Sequence, residues 1–91
     1  MSTSYHVRFE KETQKALEKM DRFQAILIIS WIEKHLEGTT NPHVHGKSFI
    51  ENHGGQWQYR VGDYRLMAEI KDEEIVILIL NIGYRRMVFD K

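Results

Sequence analysis

The chain has 91 residues, 42% of them hydrophobic, with thirteen Lys and Arg against thirteen Asp and Glu and no cysteine. That is the composition of one globular domain spanning residues 1–91, and it excludes a disulfide framework, a thiolate metal site and a binder that works through bulk positive charge. The longest apolar runs, at 25–29 and 75–80, fall well short of the ~20 residues that span a bilayer, and Met-Ser-Thr-Ser-Tyr-His at the start is no secretory signal, so a cytoplasmic protein without membrane contact is expected.

Tyr5 to Phe9 alternates, with Tyr5, Val7 and Phe9 on one face, which predicts a short strand. Between Glu10 and Met20, Thr13, Ala16, Leu17 and Met20 recur at helical spacing. Asp21 then suits the N-cap of a second helix, with Gln24 three residues on as in a capping box. That helix is expected from Arg22 to about Glu37, ending at Gly38. Its centre, residues 25–29, is apolar on nearly every side, the pattern of a buried helix. Asp21 leaves no room for a longer connection, so the two helices form a hairpin.

Residues 38–56 read as loops, with a short strand around Lys47 to Ile50. Strands follow at Trp57–Val61, Tyr64–Ile70 and Ile75–Ile82, the last apolar on both faces as a central strand should be. The order strand, two helices, three antiparallel strands predicts an α+β fold with the helices on one face of the sheet.

Gly62-Asp63 suits a two-residue type II′ turn, which pairs Val61 with Tyr64, Arg60 with Arg65, Tyr59 with Leu66 and Trp57 with Ala68. Side chains alternate along a strand, so Trp57, Tyr59, Val61, Tyr64, Leu66 and Ala68 share the helix side. Gln58, Arg60, Arg65 and Met67 share the other, joined according to register by Val76, Leu78 and Leu80. Facing arginines repel. Two readings account for them: an anionic ligand gripped by two guanidinium forks, or a solvated face paired with Asp63, Glu69 or Glu51. Arg85 and Arg86 follow the last strand and could reach the same face.

The stretch Gly55 to Leu66, followed by Asp72 to Arg86 with its Gly-Tyr-Arg-Arg tail, closely resembles the RelE-like branch of the RelE/ParE toxin superfamily. Gly46-Lys47-Ser48-Phe49 is similar to an upstream segment of the same family, so the resemblance spans almost the whole chain. It implies a type II toxin that cuts messenger RNA on the ribosome and is blocked by a cognate antitoxin in a hetero-oligomer. The implied reaction is attack of a ribose 2′-hydroxyl on the adjacent phosphate, needing a base, positive charge and an acid but no cofactor and no metal. By position, Arg60 matches a basic strand residue, Arg65 the phosphate-stabilising arginine and Arg85 the arginine that helps the leaving group. Lys47 and Arg86 would contact the RNA. Gln58 stands in place of a lysine, Phe89 in place of a tyrosine near the base, and Tyr84 replaces a frequent histidine; a histidine or Tyr84 could stand in for proton transfer.

Two other classes share the fold: a ParE-like protein that inhibits DNA gyrase by binding, and a catalytically weak relative that serves as an antitoxin-binding module. His43 and His45 have a spacing that could serve a metal, but no third ligand is evident. His53 reads as a loop histidine, Trp31 and Trp57 as core aromatics, and Asp72-Glu73-Glu74 as a solvated turn.

Overall fold

The computed structural model describes residues 3–48 and 56–84. Strand β1 (His6–Phe9) leads into helices α1 (Lys11–Lys19) and α2 (Arg22–His35). Strands β2 (Lys47–Ser48), β3 (Gln56–Val61), β4 (Tyr64–Lys71) and β5 (Val76–Tyr84) follow. They form one sheet in the order β1-β5-β4-β3-β2. The expected α+β architecture and the consecutive antiparallel strands are present. One pairing differs from a purely antiparallel sheet: β1 lies parallel to β5, with Val7 beside Ile77 and Phe9 beside Ile79.

Hairpin chemistry sets the register of β3 and β4. Gly62 adopts φ +60, the left-handed first position that a type II′ turn requires. Val61 then faces Tyr64, Arg60 faces Arg65, Tyr59 faces Leu66 and Trp57 faces Ala68, each pair as the turn dictates. Between β4 and β5 the register slips: Ala68 faces Ile79 while Met67 faces Asn81. Leu80 is the extra residue, a β-bulge that exchanges the two faces of the last part of β5.

The core lies between the helices and one face of the sheet. Ile28 and Leu36 are wholly buried against Tyr59, Leu66, Ala68, Ile77 and Ile79. Thr13 is buried as well; its hydroxyl donates to the Ile79 carbonyl at 3.2 Å, which ties α1 to β5. The open edge of β1 is covered by the chain after α2. Gly38, at φ +83, turns back so that its N–H donates to the Tyr5 carbonyl, and the Tyr5 N–H donates to the Thr39 carbonyl. The Glu37 carboxylate accepts from the Val7 N–H (2.9 Å) and lies 3.0 Å from His6 Nδ1. Those two contacts hold the Glu37 carboxyl below its ordinary range.

Asp21 caps α2 as expected, accepting from the Phe23 and Gln24 N–H groups. The expectation that this helix is buried all round is corrected. Only Ile28 and Ile32 are buried within α2, while Phe23 is 82% exposed and Ile26, Leu27 and Ile29 are exposed too. A sheet covers one side of a helix, and α1 packs on β5 and β1 of the same sheet, which among the described residues leaves the other side of α2 bare.

Candidate phosphate-binding site

On the side of the sheet away from the helices, the alternation of β3 and β4 raises Gln58 and Arg60 beside Arg65 and Met67. A cavity of about 240 Å³ opens there, lined by Gly46, Lys47, Gln58, Tyr59, Arg60 and Arg65. Short strand β2 supplies the far wall, because Lys47 faces Gln58 across the β2–β3 pair.

Each wall has a local cause. Gly46 takes φ +76 and passes so close to β3 that a Cβ would run into the Gln58 carbonyl and the Trp57 and Tyr59 rings. Only glycine lets the chain enter β2 at this distance. The loop before it is pinned by two side chains of β3. Trp57 Nε1 donates to the His45 carbonyl (2.6 Å) and the Tyr59 hydroxyl to the Pro42 carbonyl (2.8 Å). Burial pushes the Tyr59 pKa upward, so this phenol stays protonated and committed to Pro42.

The floor is Gln58, buried although polar. Its Oε1 accepts from an Arg65 Nη at 3.4 Å, which steers the half-buried guanidinium toward the cavity. Arg60 sits opposite Arg65 and is exposed. Across β4 the neighbour of Arg65 on β5 is Gly83, which places no side chain over it. Two guanidinium groups and one ammonium thus line one cavity, and like charges held together favour a bound anion.

The structure brings together Lys47, Gln58, Arg60 and Arg65 among the residues singled out from sequence. Tyr84 is placed elsewhere. The bulge turns it to the helix side, where its ring meets that of Tyr64 with centroids 5.4 Å apart. Arg85, Arg86 and Phe89 lie outside the described residues, as does His53. Gly46 was legible only as part of the Gly-Lys-Ser-Phe segment, and the roles of Pro42 and Tyr59 carried no sequence signal. His43 and His45 diverge: the first packs edge-on to Trp57 (4.5 Å), the second against Trp31 and His35 (5.8 and 4.9 Å). Among the described residues no three His, Asp or Glu side chains are grouped to hold a metal ion. No helix among them is long and apolar enough to cross a membrane.

A family model described as the ParE toxin of type II toxin–antitoxin systems matches residues 7–89. Among solved structures, the chain is similar to one in the RelBE2 toxin–antitoxin complex of Mycobacterium tuberculosis. That match has 26% identity and a TM-score of 0.78, covering 93% of this chain and 95% of the other. It also resembles the isolated RelE toxin of E. coli (17% identity, TM-score 0.72, 89% and 84% covered). A third match is the archaeal RelE–RelB complex of Pyrococcus horikoshii (21% identity, TM-score 0.69, 91% and 97% covered). No curated protein sequence matches.

Proposed function

Since the chain belongs to the ParE toxin family of type II toxin–antitoxin systems, we propose that it poisons translation as a ribosome-dependent messenger-RNA endoribonuclease. The observation that carries this reading is the Arg60–Arg65–Lys47 cavity over a Gln58 floor. In the reaction a ribose 2′-oxygen attacks the adjacent phosphorus and the bond to the 5′-oxygen breaks, leaving a 2′,3′-cyclic phosphate and a 5′-hydroxyl. The 2′-proton passes to a base and the departing 5′-oxygen takes a proton. The phosphorane gathers negative charge on its equatorial oxygens, and Arg65, aimed by Gln58, stabilises that charge. Arg60 and Lys47 hold the flanking phosphates, and Arg86 contacts the same backbone. Arg85 assists the leaving oxygen, a role that follows from its match to the family motif.

The proton-transfer groups are fewer. Among the lining side chains, the Tyr59 hydroxyl is committed to the Pro42 carbonyl and the Gln58 amide cannot act as a base. This scarcity and the ParE family match favour a second reading, in which the same cationic face binds DNA gyrase without chemistry.

Relatives solved with RelB antitoxins support a cognate antitoxin as partner. A segment carrying carboxylates and apolar anchors would suit the outer sheet face, where Met67 and Leu78 lie beyond the arginines. It would block the cavity in a toxin–antitoxin hetero-oligomer acting in the cytoplasm.

The test is to add the purified protein to a bacterial translation extract and map messenger-RNA 5′ ends, with Arg65→Ala alongside. New ends inside codons at the decoding site are expected. They should need ribosomes and fall about 10²–10³-fold in the variant, the usual loss for one transition-state donor. Intact message together with inhibited supercoiling would replace this reading with gyrase binding.

A further inference from the structure

Helix α2 carries an apolar surface on the side of the molecule opposite the arginine cavity. Its inward face, through Ile28 and Ile32, packs on the sheet. Along the outward pole run Phe23, Ile26, Ser30 and Glu33, at the 3-4-3 spacing of a helix-pairing seam. Phe23 is 82% exposed, Ile26 51% and Leu27 48%. These apolar side chains lie along one exposed helical stripe rather than scattered singly over the surface, and such a contiguous patch is often functional.

We propose that this pole pairs with the same pole of a second copy, the two α2 helices running antiparallel across a two-fold axis. Charge placement selects that occupant. The N-terminal end of the seam bears Arg22 and the C-terminal end Glu33, both exposed. Antiparallel pairing about the level of Leu27 and Ile28 sets Arg22 opposite Glu33 of the second copy. The contact occurs twice, as an isologous interface demands. A parallel arrangement would set each charge against its own kind. The apolar middle then meets itself, Ile26 against Ile29 and Ser30 of the second copy, and the small serine side chain permits the ~8–10 Å approach of packed helices. Both arginine cavities face outward, so pairing leaves them open.

The four exposed apolar side chains offer on the order of 400 Å² per copy, about half of what a standard interface buries per partner, so the dimer is expected to be weak and transient. This inference does not depend on the chemistry proposed for the cavity.

Sedimentation velocity of the purified full chain from about 1 to 300 μM tests it. The expected result is a monomer–dimer equilibrium with a Kd on the order of 10–100 μM. Phe23→Asp should shift it to monomer throughout while circular dichroism and thermal unfolding are unchanged, since the side chain is not part of the core. Arg22→Glu and Glu33→Arg should each weaken the dimer, and the two together should restore it. Monomer at every concentration would overturn the proposal, as would a dimer indifferent to Phe23→Asp or a double exchange that fails to restore pairing. If the free chain is monomeric and Phe23→Asp instead weakens antitoxin binding, the pole belongs to the antitoxin and the proposal fails.

Discussion

The two faces of the β3–β4 hairpin are built from alternate residues of one short stretch, yet they do opposite work. On the helix side Tyr59, Leu66 and Ala68 are wholly buried and Val61 nearly so. On the other side Arg60 and Arg65 stand opposite each other around a cavity. The first face removes apolar surface from water and stabilises the fold; the second concentrates like charge and costs stability. Neighbours along the chain are therefore separable by experiment. Substitutions on the helix side should change stability, and those on the outer side should change activity.

The largest effect is expected on the buried face. Leu66→Ala should lose about 2–5 kcal/mol in chemical denaturation, a large share of what a domain of this size has. Full activity with unaltered stability would break the contrast. Gly46→Ala tests where the two faces meet. It forces an L residue into a left-handed backbone against the Gln58 carbonyl, and should cost about 1–2 kcal/mol from the backbone alone. Because β2 must also move, message cleavage should fall more steeply than the melting temperature would imply.

Arg60→Gln should behave in the opposite sense. It removes a like-charge pair across the hairpin, so the protein should gain a few tenths of a kcal/mol while cleavage falls, and the gain should shrink as salt is added. A loss of stability would mean that the two arginines already share an anion or a carboxylate.

The smallest effect lies at the far end of the sheet. Glu37 has a lowered folded-state pKa, first through the Val7 N–H and next through His6. Its contribution to stability is present above the unfolded carboxyl value near 4.3 and is lost as pH falls through the lower folded value. Glu37→Gln should flatten the stability profile in that acid range and lower stability slightly near neutrality, where the carboxylate's contribution is fully present. Cleavage should be unaffected, because the contact sits on the β1 edge away from the cavity.

Much of this was legible in the chain because the relevant interactions are local. Asp21 caps the amides two and three residues on, and Gly62-Asp63 permits a turn that fixes every pair of β3 with β4. Once that register is known, period-two alternation puts Arg60 and Arg65 together. The arginine half of the candidate site therefore follows from twelve or so residues of hairpin. Its other wall does not. Lys47 reaches the cavity only because Trp57 and Tyr59 bind the loop at His45 and Pro42, contacts made across 12 and 17 residues of chain.

Three features were decided by packing between distant segments. The bulge at Leu80 falls just past the end of the β1–β5 pairing, and its single added residue sends Tyr84 to the helix side, away from the arginines. The parallel seat of β1 beside β5 joins residues about seventy positions apart, which no local pattern encodes. Which side of α2 is covered was equally hidden, because a helix apolar all round carries no directional signal in its periodicity. Composition, caps, turn and alternation determined the fold class and the arginine face, since each depends on a few neighbouring residues. The remaining wall of the cavity, the turn of Tyr84 and the bare pole of α2 were settled only when the sheet closed and the helices took sides.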